Sequence, residues 1–286
     1  MDMILKRRER AARKSGKRGS KKVRFGIMLT IAIFVIILAF LGNQIAPQDP
    51  LKTDFAHALE APSHEHLLGT DNVGRDIFSR LIAGAVNSFS YSFVMVILVA
   101  VIGTTIGMIA GFFGGALDTV IMRITDILLA FPNTVFAIAL VGVIGPGLMN
   151  TIIALGLIGW TRYARVARGL VSPLKYKEYI LEARLGGAGT GKILLRYILP
   201  NILPQIAIMA TTGVGGSILS LAGLSFLGLA SQPPAPEWGY MLNEGRAYLQ
   251  VAPWVIISPG IMILITVVIF NLLGDALRDL WDPKEL

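Results

Sequence analysis

The stretch "GGAGTGKI" at residues 186–193 decides between two folds. Gly186, Gly191 and Lys192 stand at the spacing of a phosphate-cradling loop, which would place the chain among α/β nucleotide-binding proteins. Such a loop needs Ser or Thr after the lysine to reach magnesium, and Ile193 occupies that place. It also needs a strand before it, whereas the preceding "YKEYILEARL" (176–185) has the amphipathic pattern of a helix. No stretch of the chain supplies the alternating strands and helices of such a domain. The glycines are therefore read as a break between two helices, and the chain is expected to bind no nucleotide itself.

The composition around this loop points to a membrane. Of 286 residues, 54% are hydrophobic and only 15% charged, against about 25% charged in ordinary soluble proteins. The mean hydropathy is +0.66. With no cysteine, disulfides and thiolate metal sites are excluded. The net charge of +8 is concentrated: eleven of the 26 Lys and Arg fall in residues 1–24, beside only Asp2 and Glu9. That basic tail is read as a topology signal with attraction for anionic lipid, not as a nucleic-acid-binding segment.

The tail (1–24) runs into "FGIMLTIAIFVIILAFLG" (25–42), longer than a signal-peptide core and without a clear cleavage site. It predicts a retained first transmembrane helix over 25–45, followed by an external loop over 46–87. Further spans are expected near 88–112, 119–144, 148–162, from 202 toward the charge-free region ending at Glu237, and 253–275. Residues 88–286 thus form a five-helix core with a loop at 170–200. Arg162, Arg165, Arg168, Lys175, Lys177, Arg184, Lys192 and Arg196 share the one long loop assigned to the cytoplasm, so the positive-inside rule agrees with six crossings and both termini inside. The expected fold is an all-α membrane protein, because backbone polar groups in lipid must be satisfied within each segment.

In the loop, "EYILEARLGGAGTGKILLRYILPN" (178–201) predicts two short helices with a sharp bend, the second stopping at Pro200. Tyr179, Ile180, Leu185 and Ile193 are expected to give an apolar side, with Glu178, Glu182, Arg184 and Lys192 on the polar one. Such an element suits docking of a soluble partner; resting on the lipid surface is the alternative.

These residues resemble the cytoplasmic motif of binding-protein-dependent ABC importer permeases, Glu-Ala-Ala-x-x-x-Gly with Leu-Pro further on. Aligned on Gly187 and Leu199-Pro200, Ala183 takes the second alanine, Glu182 the first, and Leu181 stands where the family has Glu. The resemblance implies a type I importer permease fold in which this loop is the coupling helix. Coupling to the ATPase would then fall to Tyr179, Leu181, Glu182, Ala183, Arg184, Gly186, Gly187 and Ala188. "HLLGTDNVGRDIFSRLIAGA" (66–85), "MRITDILLAFP" (122–132), "LGLIGWTRYARVARG" (155–169), "LSFLGLASQPPAPEWGYMLNEGRAYL" (224–249) and "FNLLGDALRDLWDP" (270–283) are similar to the dipeptide, oligopeptide and nickel branch, in its "C"-type permease. That resemblance implies a multi-pass protein of the bacterial cytoplasmic membrane. Its implied partners are a second, non-identical permease, two ABC ATPase subunits and an extracytoplasmic substrate-binding protein. ATP and Mg would be used by the ATPase subunits, and the chain itself would be non-catalytic. Import of di- or oligopeptides is the first reading of the cargo. "RLGGAG" is closer to nickel permeases, so nickel or a metal chelate is the alternative.

Other residues carry competing readings. Arg123 and Asp126, one helical turn apart, are expected to face each other as a structural anchor or a substrate-path pair. Asp71, Arg75, Asp76 and Arg80 are open between contact with the binding protein and local salt bridging. His64 and His66 are read as solvated rather than metal-binding. "SQPPAPEWGYM" (231–241) is read as shaping an external loop or gate, and the small residues of "TTGVGGSILSLAGLSFLG" (211–228) as allowing close helix packing around a pathway. No nucleophile–base pairing and no metal-ligand cluster is seen. A stand-alone secondary transporter is the rival class, but there is no clear inverted repeat and the spans are almost free of acids.

Overall fold

A computed structural model gives the backbone of residues 2–281 and the side chains of residues 19–42 and 44–281. Most side chains of the basic tail, and residues 282–286 of the acidic C-terminal segment, lie outside the described residues. The elements in order are α1 (Asp2–Phe40), α2 (Gly42–Ile45), α3 (Ile77–Phe113), α4 (Gly115–Leu129), α5 (Asn133–Ile144), α6 (Leu148–Leu174), α7 (Glu178–Leu185), α8 (Thr190–Ile193), α9 (Leu199–Phe226), α10 (Trp238–Gly245) and α11 (Trp254–Trp281). Among the described residues there is no strand, only an isolated bridge between Thr70 and Asp76.

Four helices are by themselves long and apolar enough to cross a bilayer: α1 over 19–40, α3, the helix from Thr190 to Phe226, and α11. The expected third span is not one straight helix. It breaks between α4 and α5 with an 85° bend. Pro132 supplies no N–H and disfavours helical geometry at Phe131, so the chain restarts as α5 with Pro132 as its N-cap. Counted as one bent span, the pair is the fifth crossing. The remaining expected crossing, the fourth in chain order, is α6, with 27 residues, about 40 Å of helix. Arg162, Arg165 and Arg168 dilute the apolar character of its second half.

Three further boundaries differ from expectation. Helix α3 begins at Ile77 instead of near residue 88, because Asp76 caps it, its carboxylate accepting from the Ser79 N–H at 2.8 Å. Helix α6 runs on to Leu174, past the expected end near residue 162. The helix after the glycine loop does not stop at Pro200. It continues from Thr190 through Leu194–Ile198, a turn of π geometry in which the Leu199 N–H donates to the Leu194 carbonyl, and on into α9. The wider turn directly precedes Pro200, which has no N–H to give to the preceding turn.

The tightest contacts in the core are between α3 and α6, which run parallel: residues 103, 107 and 111 of α3 meet successively later residues of α6. Gly103, Gly107 and Gly111 repeat every fourth residue on α3 and face α6. A Cβ on Gly107 would lie 2.8 Å from Ala164 Cα and 2.8 Å from Ala167 Cβ, and one on Gly111 2.9 Å from the Arg168 carbonyl. Small residues at this spacing let two backbones approach within a membrane. Asp118 with Arg168 (2.6 Å) and Asp126 with Arg165 (2.6 Å) tie α4 to α6. Asp126 thus pairs across helices and not with Arg123. One turn of separation permitted the local pair, but α6 brings a guanidinium closer.

Candidate functional site

The glycine-loop element sits where α3 and α6 end and α9 begins. Helix α7 has eight residues. Ile180 is fully buried in the bundle, as is Ile193 beyond the loop, while Ala183 and Ala188 are half-buried. Tyr179, Leu181, Glu182, Arg184, Leu185, Gly186 and Gly187 are exposed. The expected apolar side is therefore split: Ile180 and Ile193 anchor inward, and Tyr179, Leu181 and Leu185 face out. Leu185 is 89% exposed, a large cost in water for a residue with no covering surface. Arg184 stacks its guanidinium over the Phe112 ring, 5.5 Å from the centroid, at the end of α3.

The bend after α7 is a complete Schellman motif. The Ala188 N–H donates to the Ala183 carbonyl at 2.9 Å and the Gly187 N–H to the Arg184 carbonyl at 3.1 Å. Gly187 has φ +79 and needs to be glycine for that backbone. The loop thus follows a helix, not a strand, and its glycine is used to cap and turn.

At mid-bundle the bend between α4 and α5 opens onto a cavity of about 770 Å³, shared with α3, α6 and α9. Such a volume lies within the roughly 300–1,000 Å³ of small-molecule sites. Met95, Val99, Leu155 and Ile158 give it apolar walls, and Thr212, Ser217 and Ser220 of α9 add hydroxyls. Irregular backbone at membrane depth is tolerated where it lines a cavity. The glycines and serines of 211–228 read as packing residues also form this wall.

The opposite end of the bundle carries a buried charge cluster. Asp71 accepts from Arg75 Nε at 2.6 Å and from Arg80; Glu244 of α10 accepts from Arg75 and Arg80 at 2.7 Å each. Asp71, Arg75 and Arg80 are each under 7% exposed, so they serve local salt bridging and are not a free surface. Burial works against the charge on Arg75, but the carboxylates of Glu244 and Asp71 outweigh it and hold the guanidinium above its ordinary range. Asp76, by contrast, takes His66 Nδ1 at 3.1 Å. His66 is therefore a paired, largely covered ring, contrary to its reading as solvated. No group of three metal-type ligands occurs among the described residues. In the surface loop, the hydrogen bond from His57 Nδ1 to Asp54 (3.0 Å) raises the imidazole and lowers the carboxylate.

"PEWG" locks α10 in place. The Glu237 carboxylate caps α10, accepting from the Gly239 and Tyr240 N–H groups at 2.9 Å. Trp238, fully buried, donates from Nε1 to the Leu81 carbonyl at 2.9 Å and meets Phe89 edge-on at 5.7 Å. The tryptophan is thus a buried anchor to α3.

Residues 103–285 match the family described as binding-protein-dependent transport system inner membrane component. The chain belongs to this family. It is 42% identical over 265 residues to the dipeptide transport system permease protein DppC of Alkalihalophilus pseudofirmus, covering 92% of this chain and 87% of that one. It is 43% identical over 262 residues to the glutathione transport system permease protein GsiD of Pectobacterium atrosepticum, covering 90% and 87%. A chain of the MetNI methionine ABC transporter, in an inward-facing conformation, shares the fold at TM-score 0.54 and 20% identity, over 68% of this chain and 93% of that one. The protein is an all-α ABC importer permease of the type I fold, and its apolar helices place it in a membrane. The exposed α7 and all of the mid-bundle cavity's lining except Met95, Val96 and Val99 lie in the part matched by the family. The GxxxGxxxG repeat at 103–111, which the span reading passed over, was visible as spacing in the sequence.

Proposed function

We propose that this permease forms half of the pathway of an ATP-driven importer of di- or oligopeptides or of peptide-like thiols such as glutathione. The observation that carries the reading is the identity of 42–43% over nine-tenths of the chain to permeases named for dipeptide and glutathione transport. A second, non-identical permease completes the pathway, and an extracytoplasmic binding protein delivers the cargo at the end bearing α10. Two ATPase subunits dock at the end bearing α7, where Tyr179, Leu181 and Leu185 offer an uncovered apolar surface beside Glu182 and Arg184. ATP and Mg act in those subunits. This chain contributes the mechanical link through Ala183, Gly186, Gly187 and Ala188. The basic end is cytoplasmic by the positive-inside rule, with both termini on that side. Nucleotide binding acts by shifting the complex between inward- and outward-open states, through the ATPases' preference for one of them.

The test is uptake by cells with and without the gene, supplied with labelled dipeptides, labelled glutathione and, separately, nickel-63. Loss of dipeptide or glutathione uptake with nickel unchanged is the expected result. Loss of nickel uptake alone would overturn the cargo assignment.

A further inference from the structure

Three arginines follow one another along α6, and only two have carboxylate partners. Arg165 holds Asp126 and Arg168 holds Asp118, each at 2.6 Å. Arg162 makes no ion pair or hydrogen bond among the described residues, yet it lines the mid-bundle cavity. It stands fourteen residues into α6, about 21 Å along the helix, where an unpaired charge facing lipid would cost several kcal/mol. A cavity that admits water or a polar solute removes that cost.

A second positive feature shares the cavity. Asn133 and Thr134, the first two residues of α5, line it, and no side chain caps that helix start. A 12-residue helix therefore begins at the edge of the same space, with no side chain capping the N–H groups of its first turn. No Asp or Glu lines the cavity, and among the described residues no carboxylate pairs with Arg162. The hydroxyls of Thr212, Ser217 and Ser220 across the space can hydrogen-bond without adding charge.

We propose that this cavity binds a carboxylate of the solute in transit, with Arg162 as the contact that pairs it and the start of α5 as a supporting dipole. The proposal rests on the peptide-import reading, since a peptide carries such a group at its C-terminus. Arg162 then sets specificity within the membrane, after the binding protein has made its own selection.

The test uses the whole importer, reconstituted in liposomes with its second permease, ATPases and binding protein. ATP-driven uptake of a labelled dipeptide is compared with uptake of the same dipeptide as its C-terminal amide. Arg162→Gln is expected to lower free-acid uptake at least about ten-fold more than amide uptake, a one-contact loss of the size seen for charged hydrogen bonds, and Arg162→Lys to restore most of it. Because one binding protein serves both variants, its preference cancels in the mutant-to-parent ratio. Equal loss of both peptides would overturn the proposal.

The second readout needs no transport. In a Ser217→Cys background, made clean by the absence of native cysteine in this chain, the thiol is labelled with anionic and cationic methanethiosulfonates. Arg162→Gln should lower the anionic-to-cationic rate ratio about five-fold. An unchanged ratio overturns the proposal. Failure of the parent complex to carry either peptide, with the ratio still lowered by Arg162→Gln, sinks the import reading and leaves the anion site standing.

Discussion

Arg80 and Glu244, 164 positions apart in the sequence, meet at 2.7 Å at the end of the bundle that carries α10. Their contact joins the start of α3 to α10, and Asp71 draws the preceding loop into the same cluster. Two guanidinium groups and two carboxylates share it, so the buried charges balance. Removing one partner leaves a buried charge uncompensated.

Glu244→Gln is therefore expected to destabilise the purified complex by about 3 kcal/mol and to expose the 46–76 loop to protease. Thermal unfolding in detergent with limited proteolysis checks both. An unchanged melting temperature would mean the cluster holds nothing together.

Close packing of α3 on α6 makes Gly107 intolerant of any side chain. Gly107→Val should force the helices apart, costing about 1–3 kcal/mol or more and lowering the yield of assembled complex. Gly156→Ala is the control, because a Cβ there meets nothing within 4 Å, and it should be neutral or slightly stabilising.

At the glycine loop, Gly187→Pro should abolish ATP-driven transport while the protein still inserts, since the αL turn and its N–H bond are both lost. Charge reversal across Glu182 and Arg184 should do the same. Lys192→Ala should leave the nucleotide affinity of the complex unchanged within about two-fold, because a P-loop contact is worth far more than that. Fluorescent-nucleotide titration and vesicle uptake separate the two effects.

His57 titrates above its ordinary value near 6.5, because Asp54 accepts its proton-bearing nitrogen. The pair is fully formed between the ordinary carboxylate range and the ordinary imidazole value; it is lost as pH rises through the elevated imidazole value and, on the acid side, as pH falls through the lowered Asp54 one. NMR titration of the imidazole should show the elevation, and Asp54→Asn should remove it. Identical titration in the two proteins would show that the pair does not form in solution.

Much of the helical frame was legible because lipid imposes one local rule: long apolar runs must satisfy their own backbone. Phe25 to Phe40 and Trp254 onward obey it simply. Departures came where one residue altered a run without changing its hydropathy. Pro132 broke the third span, and Asp76 started α3 eleven residues early, both through backbone hydrogen bonding. Partner choice was not legible at all. Asp126 had Arg123 at the right spacing, but Arg165 arrives from another helix, and only tertiary packing decides between them. The glycine-loop segment showed the same limit: its apolar residues were visible, while which of them face the bundle depends on where α3 ends.

Helix α7 touches the rest of the chain through little more than Ile180, the half-buried Ala183 and the stacking of Arg184 on Phe112. If a partner docks on this element as proposed, a push on Leu185 would reach the foot of α3 through those few contacts, and the capped glycine turn beyond it would stiffen the segment that carries it.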